Sequence, residues 1–181
     1  MNELIAKIEQ WAEDRNIIKG SKPIDQAMKL FSEFGELADN VGKGRDCRDD
    51  IGDVFVVLTI MAKQLGLSIN DAIKFDASSR GTQKHAVCDL GLALNYFVRS
   101  ENKDCLRSCL MALHAICKGE LIDFKECVQI AYNDIKDRKG LMHNGVFIKE
   151  SDPAYQGALD NIEADKRMAT QKRISVNLED L

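Results

Sequence analysis

The chain has 181 residues, of which 45% are hydrophobic and 30% charged, and its formal net charge is −4; this suits one domain with a sizeable core. Negative net charge gives no general attraction to nucleic acid or anionic membrane, and no apolar run approaches the ~20 residues of a membrane-spanning helix. The opening MNELIAKIEQW carries acids where an export signal has basic and then apolar residues, so the sequence reads as that of a cytoplasmic protein.

In chain order, Leu4, Ile5, Ile8 and Trp11 recur at helical spacing and predict a first helix over 3–15. Ser21 as cap and Pro23 in the first turn open a second helix, which ends at the Gly42-Lys43-Gly44 stretch. A third runs from about Cys47 to Leu65 and closes at Gly66, and Ser68 caps a short fourth in SINDAIKF. Further helices fit 84–99, 103–118 and 123–138; 139–152 reads as a loop, and Pro153 begins a last helix with Tyr155, Ala158, Leu159 and Ile162 on one face. Nothing reads as a strand, so the expected class is all-α. Five of the six cysteines (Cys88, Cys105, Cys109, Cys117, Cys127) lie on apolar helical stretches without CxxC spacing, which favours buried thiols over a zinc site. His85, His114 and His143 are too scattered for a metal or triad pattern, and GKGRD lacks the spacing of a phosphate-binding P-loop.

The most informative feature is a repeated pattern of acid, apolar residue, glycine and acid: Glu33-Phe34-Gly35-Glu36 and Asp50-Ile51-Gly52-Asp53. Helix positions three apart share a face, with Cβ atoms about 5–6 Å from each other. The short turn between the two helices makes them antiparallel neighbours, so four carboxylates are expected to converge between them. Such a cluster needs protonation or bound cations, and oxygen-only ligands suit hard ions such as Mg²⁺ or Mn²⁺. The bland reading is that these acids are solvated, as most are. Against it stand the apolar neighbours Phe34 and Leu37 and the run Val54–Ala62.

With these motifs in view, KLFSEFGELADNVGKG followed by DDIGDVFVVLTIMAKQLGL resembles the MazG-like members of the all-α nucleoside triphosphate pyrophosphohydrolases, whose signature is ExxE and then ExxD. AYNDIKDRKGLMHNGVFIKE (131–150) and KIEQWAEDRNIIKGS are similar to the ends of the short MazG-like proteins of bacteriophages. The resemblance spans roughly residues 5–76 and 127–150. Residues 1–150 then form one pyrophosphohydrolase-type helical bundle, in which 77–126 is an insertion or a degenerate second copy of the acidic helical pair, and 151–181 is a C-terminal helix and tail.

The resemblance implies Mg²⁺- or Mn²⁺-dependent hydrolysis of a nucleoside triphosphate, (d)NTP, to the monophosphate and pyrophosphate in nucleotide-pool control, with a purine dNTP such as dGTP favoured by the phage-like ends. The catalytic and metal-binding positions are then Glu33, Glu36, Asp50 and Asp53. Asn133, Lys136 and Arg138 match downstream substrate-contacting positions, and Lys29 and Gln26, one and two turns before Glu33, reach phosphate or base. The implied partners are the nucleotide and further copies of the chain, as a dimer or tetramer, in the cytoplasm of a cell such as a phage host, with no nucleic acid and no membrane. Two departures stand out. Asp50 replaces the usual Glu and Ser32 replaces an additional acid, and these motivate the alternative of a catalytically weak nucleotide-binding or helical interaction module.

Overall fold

The computed structural model describes residues 1–73, 81–119 and 121–179, with the side chains of 171–179 excepted. Its elements are α1 (Asn2–Asp14), α2 (Ile17–Gly20), α3 (Pro23–Lys43), α4 (Arg48–Gln64), α5 (Ile69–Ala72), α6 (Gln83–Ser100), α7 (Lys103–Gly119), α8 (Phe124–Ile135), β1 (Gly140–His143), β2 (Val146–Lys149) and α9 (Tyr155–Glu179). The architecture is mostly helical, with one two-stranded antiparallel sheet.

The core forms around α4. From Ile51 to Ala62 every residue except Asp53 is buried, the signature of a helix wrapped on all sides. It packs against α1, α3 and α8. At Gly52 the approach to α8 is so close that an added Cβ would overlap the Cys127 carbonyl oxygen and lie 2.7 Å from the Ala131 methyl. Phe55 then meets Phe124 edge-on, with ring centroids 5.3 Å apart, and Phe124 stacks on His114 of α7 at 4.1 Å. Helices α3 and α4 run antiparallel, as expected: Asn40 near the end of α3 bonds Asp50 near the start of α4.

Residues 83–119, within the stretch read as an insertion or second copy, fold as the helical pair α6–α7, with α6 lying on α3. Gly91 sits under the Phe34 ring, where a Cβ would come 2.8 Å from Cζ, and Lys84 Nζ donates to the Gly42 carbonyl at 3.1 Å. Gly66 takes the expected left-handed conformation after α4, and Ser68 Oγ accepts the Asp71 N–H at the start of α5. Lys74 and Phe75 of the predicted fourth helix lie outside the described residues.

Four expectations are corrected. The segment 139–152 is not a plain loop: Asn144 and Gly145 both take positive φ (50° and 80°), the geometry of a tight hairpin turn, and β1 pairs with β2 through Leu141–Ile148 and Met142–Phe147. Helix α8 ends at Ile135, so Lys136–Arg138 form a turn beyond it, with Arg138 N–H donating to the Ile135 carbonyl. Ser21 does not cap α3; its hydroxyl donates to the Ile17 carbonyl and accepts from Gln26, while Asp25 Oδ2 takes the Lys22 N–H. A four-residue helix, α2, too short to show periodicity, intervenes before α3. In α9, Ala158 and Ile162 bury against Leu141, with Tyr155 and Leu159 partly buried beside them, on the expected face.

The two glycines of the repeated acidic pattern have opposite surroundings, since Gly35 has nothing within 4 Å of its would-be Cβ. Gly52→Ala should therefore destabilise the chain by about 1–3 kcal/mol through overpacking. Gly35→Ala should be neutral or stabilising by about 0.5–1 kcal/mol through helix propensity. Equal denaturation midpoints for the two variants would refute this account of α4–α8 packing.

Candidate functional site

A cavity of about 320 Å³ opens between α1, α3, α4, the end of α8 and the hairpin. One wall is apolar: Trp11 from α1, Val56, Val57 and Ile60 from α4, and Met142 and Phe147 from the paired strands. At its polar end lie Glu33 and Lys29 from α3, Asp53 from α4 and Arg138, with Asp25 and Gln26 at the first turn of α3. A larger, open groove of about 590 Å³ adjoins it, sharing Asp25 and Gly145, and is lined by Lys19, Lys22, His143 and Lys166. The smaller cavity is the candidate site, because it joins buried carboxylates to an aromatic and aliphatic wall.

Glu33 is only 5% exposed and forms an ion pair with Lys29, one turn earlier on α3. Asp53 is the one charged residue, and the one not fully buried, between Ile51 and Ala62 of α4. Burial, then the neighbouring charges of Glu33 and Asp49, push its carboxyl from the ordinary 3.8 up to about 7, against the opposing pull of Arg138 and Lys29. Asp49, one turn before Asp53, is also raised, by partial burial and then by Asp134, Asp50 and Glu33. It is an acid that the ExxE and ExxD spacing did not single out. Its only sequence signal is the four-residue offset from Asp53, which places both on one helix face.

The remaining residues divide. Asp50 does not line the cavity; its Oδ2 accepts from Asn40 Nδ2 at 2.9 Å. Glu36 is exposed on α3, outside the lining. Gln26 is 5% exposed, lines the cavity and donates from Nε2 to Ser21 Oγ at 2.9 Å. Asn133 and Lys136 are exposed at the end of α8, where Lys136 Nζ donates to Asn133 Oδ1 at 3.3 Å; Arg138 alone of this trio lines the cavity. Of the four acids expected to converge, the cavity thus joins Glu33 and Asp53. Among the described residues no group of three or more His, Cys, Asp or Glu side chains stands ready to enclose a metal ion. The chemistry of the acidic end nevertheless fits a hard divalent cation: its donors are carboxylate oxygens, and ionised Asp53 faces the negative charges of Glu33 and Asp49, which a cation would offset.

Among the described residues no helix is long and apolar enough to cross a membrane. No family model matches the chain, and no solved structure matches it. It is 52% identical over 66 residues to an uncharacterized 18.2 kDa protein in the rep-hol intergenic region of Haemophilus phage HP1. That match covers 35% of this chain and 40% of the phage protein.

The Asp53 shift has a definite sign. The folded state holds the proton up to about pH 7, whereas the unfolded chain releases it near 3.8. Stability from this group is therefore full below about pH 4, falls as pH rises towards 7, and stays low above it. In the absence of divalent cations, Asp53→Asn should raise Tm relative to wild type, with the gap widening from pH 4 to 7 and then levelling. Added Mg²⁺ should narrow the gap at pH 8. A pH-independent gap in thermal denaturation would disprove the electrostatic account of Asp53.

Proposed function

We propose that the cavity binds a nucleoside triphosphate and that the chain hydrolyses it between the α- and β-phosphates, releasing a monophosphate and pyrophosphate, with a purine deoxynucleotide such as dGTP as the preferred substrate. The observation that carries this reading is the union, in one cavity, of a flat apolar wall with an acidic end flanked by two cations. Trp11 and Phe147 suit a planar base, and Glu33 and Asp53 suit a cation-bridged phosphate chain, with Lys29 and Arg138 beside them. The ExxE and ExxD resemblance points to the same chemistry, in an all-α pyrophosphohydrolase-type bundle.

Glu33 and Asp53 would hold Mg²⁺ or Mn²⁺, with Asp49 adjacent. When bound, the ion neutralises phosphate charge and lowers the pKa of a coordinated water. The chain's own part is positional and acid–base. Lys29 fixes Glu33, and Arg138 offers a guanidinium to the phosphates. Water oxygen bonds to the α-phosphorus, the bond to the bridging oxygen breaks, pyrophosphate leaves, and Glu33, the buried acid on α3, takes the water proton. The exposed apolar side chains Ile24, Met28, Leu92 and Tyr96 on α3 and α6 favour assembly into dimers or tetramers.

A second reading, nucleotide binding with little turnover, is favoured by one contact: Asp50 is engaged by Asn40 instead of lining the cavity.

Incubation with a panel of NTPs and dNTPs plus Mg²⁺ or Mn²⁺ separates these readings. The hydrolase reading expects pyrophosphate from at least one nucleotide, and a loss of about 10²–10³-fold in kcat for Asp53→Asn or Glu33→Gln, the range found when a transition-state charge partner is removed. Saturable binding without pyrophosphate selects the second reading. Unchanged turnover in both variants removes this cavity as the site.

A further inference from the structure

The cavity is lined by segments far apart in the chain, and Arg15 touches three of them, α1, the turn after α8 and the hairpin, without lining the cavity itself. Its Nε donates to the Arg138 carbonyl at 2.6 Å and its Nη2 to the Lys136 carbonyl at 2.9 Å, tying down the turn that follows α8. Its guanidinium carbon lies 5.1 Å from the centroid of the Trp11 ring, and Nη1 reaches the Trp11 carbonyl at 3.4 Å. Its own carbonyl accepts the Met142 N–H at 2.8 Å, and the next residue, Asn16, donates from Nδ2 to the Met142 carbonyl at 2.9 Å. Trp11, Arg138 and Met142 line the cavity from α1, the post-α8 turn and the hairpin respectively, and the hairpin adds Gly145 and Phe147.

We infer that Arg15 is a positioning residue for the nucleotide site: one guanidinium sets the Trp11 ring against the backbone that carries Arg138, and so fixes the wall on which the base rests relative to the cation that meets the phosphates. This rests on the hydrolase reading for the identity of the ligand, though not for the geometry. Only a planar fork with several donors serves two carbonyls and a ring face together, so lysine, a single point charge on a flexible stem, does not substitute. Asn16 is held at φ 58°, left-handed backbone that aims its amide at Met142 and continues the same tie.

The experiment compares full-length wild type, Arg15→Lys, Arg15→Ala and, as a control on the exposed side of α1, Gln10→Ala, all well below their melting temperatures. Trp11 is the only tryptophan, so its emission reports on the wall without any need for turnover. Arg15→Lys and Arg15→Ala should show shifted emission and stronger iodide quenching. For the best-hydrolysed nucleotide they should also raise KM roughly 10- to 100-fold with a smaller change in kcat, the scale expected of a misplaced binding surface. Gln10→Ala should match wild type in every readout. A residue that merely braces the fold would lower Tm and leave emission, quenching and KM unchanged at the measuring temperature; that result overturns the inference. If wild type releases no pyrophosphate from any nucleotide, the hydrolase reading fails separately, and emission and quenching alone decide the role of Arg15.

Discussion

The backbone of α4 runs so close to α8 at Gly52 that the Cys127 carbonyl and the Ala131 methyl occupy the space a side chain would need, and much of the molecule is arranged around that approach. It lets α4 be covered on every side, so that its hydrophobic residues bury completely and the helix acts as the axis of the core. It also fixes the orientation of the next residue. Asp53 emerges into the space bordered by α3 and the end of α8, where Glu33 and Arg138 stand. A carboxylate on an otherwise sealed helix is costly, and its raised pKa records that cost. Local departures from good packing chemistry of this kind are expected where a protein does its work.

The balance of charge in the cavity follows from which neighbours are near and which are solvated. Glu33 is shielded from water but has Lys29 beside it, one turn away on the same helix. Asp53 is faced by further acids, Glu33 and Asp49, and is offset by Arg138 and Lys29 acting from a distance. The acidic end therefore reaches neutrality only with a proton or an added cation. Under the metal-dependent reading proposed above, a divalent ion would compete with the proton for the same carboxylate.

Much of the helical framework was legible because apolar residues recur at helical spacing over long stretches and because Pro23, Gly66 and Ser68 mark boundaries with definite backbone chemistry. The hairpin was not, since its strands have four residues each and the only strong signal, Asn144-Gly145, lies in a segment otherwise without alternation. The paired acids were legible from their three-residue spacing. Which of them enter the cavity was not, because a shift of three residues turns a side chain about 60° around the helix. That is enough to bury Glu33 and leave Glu36 in solvent. The capture of Asp50 by Asn40 is a side-chain choice between two helices, invisible to spacing on either. Arg15 likewise reads as an ordinary polar residue at a helix end until the fold brings residues 136–142 beside it.

The tie between Arg15 and Arg138 joins positions 123 residues apart, which bears on the order in which the molecule assembles. Helices α3 and α4 meet across a short turn, whereas contacts between distant segments bear the full entropy of closing the intervening chain. Until α8 and the strands after it dock on α1, the carboxylates face an open surface with no aromatic wall. The cavity is thus complete only once the contacts of longest sequence separation have formed.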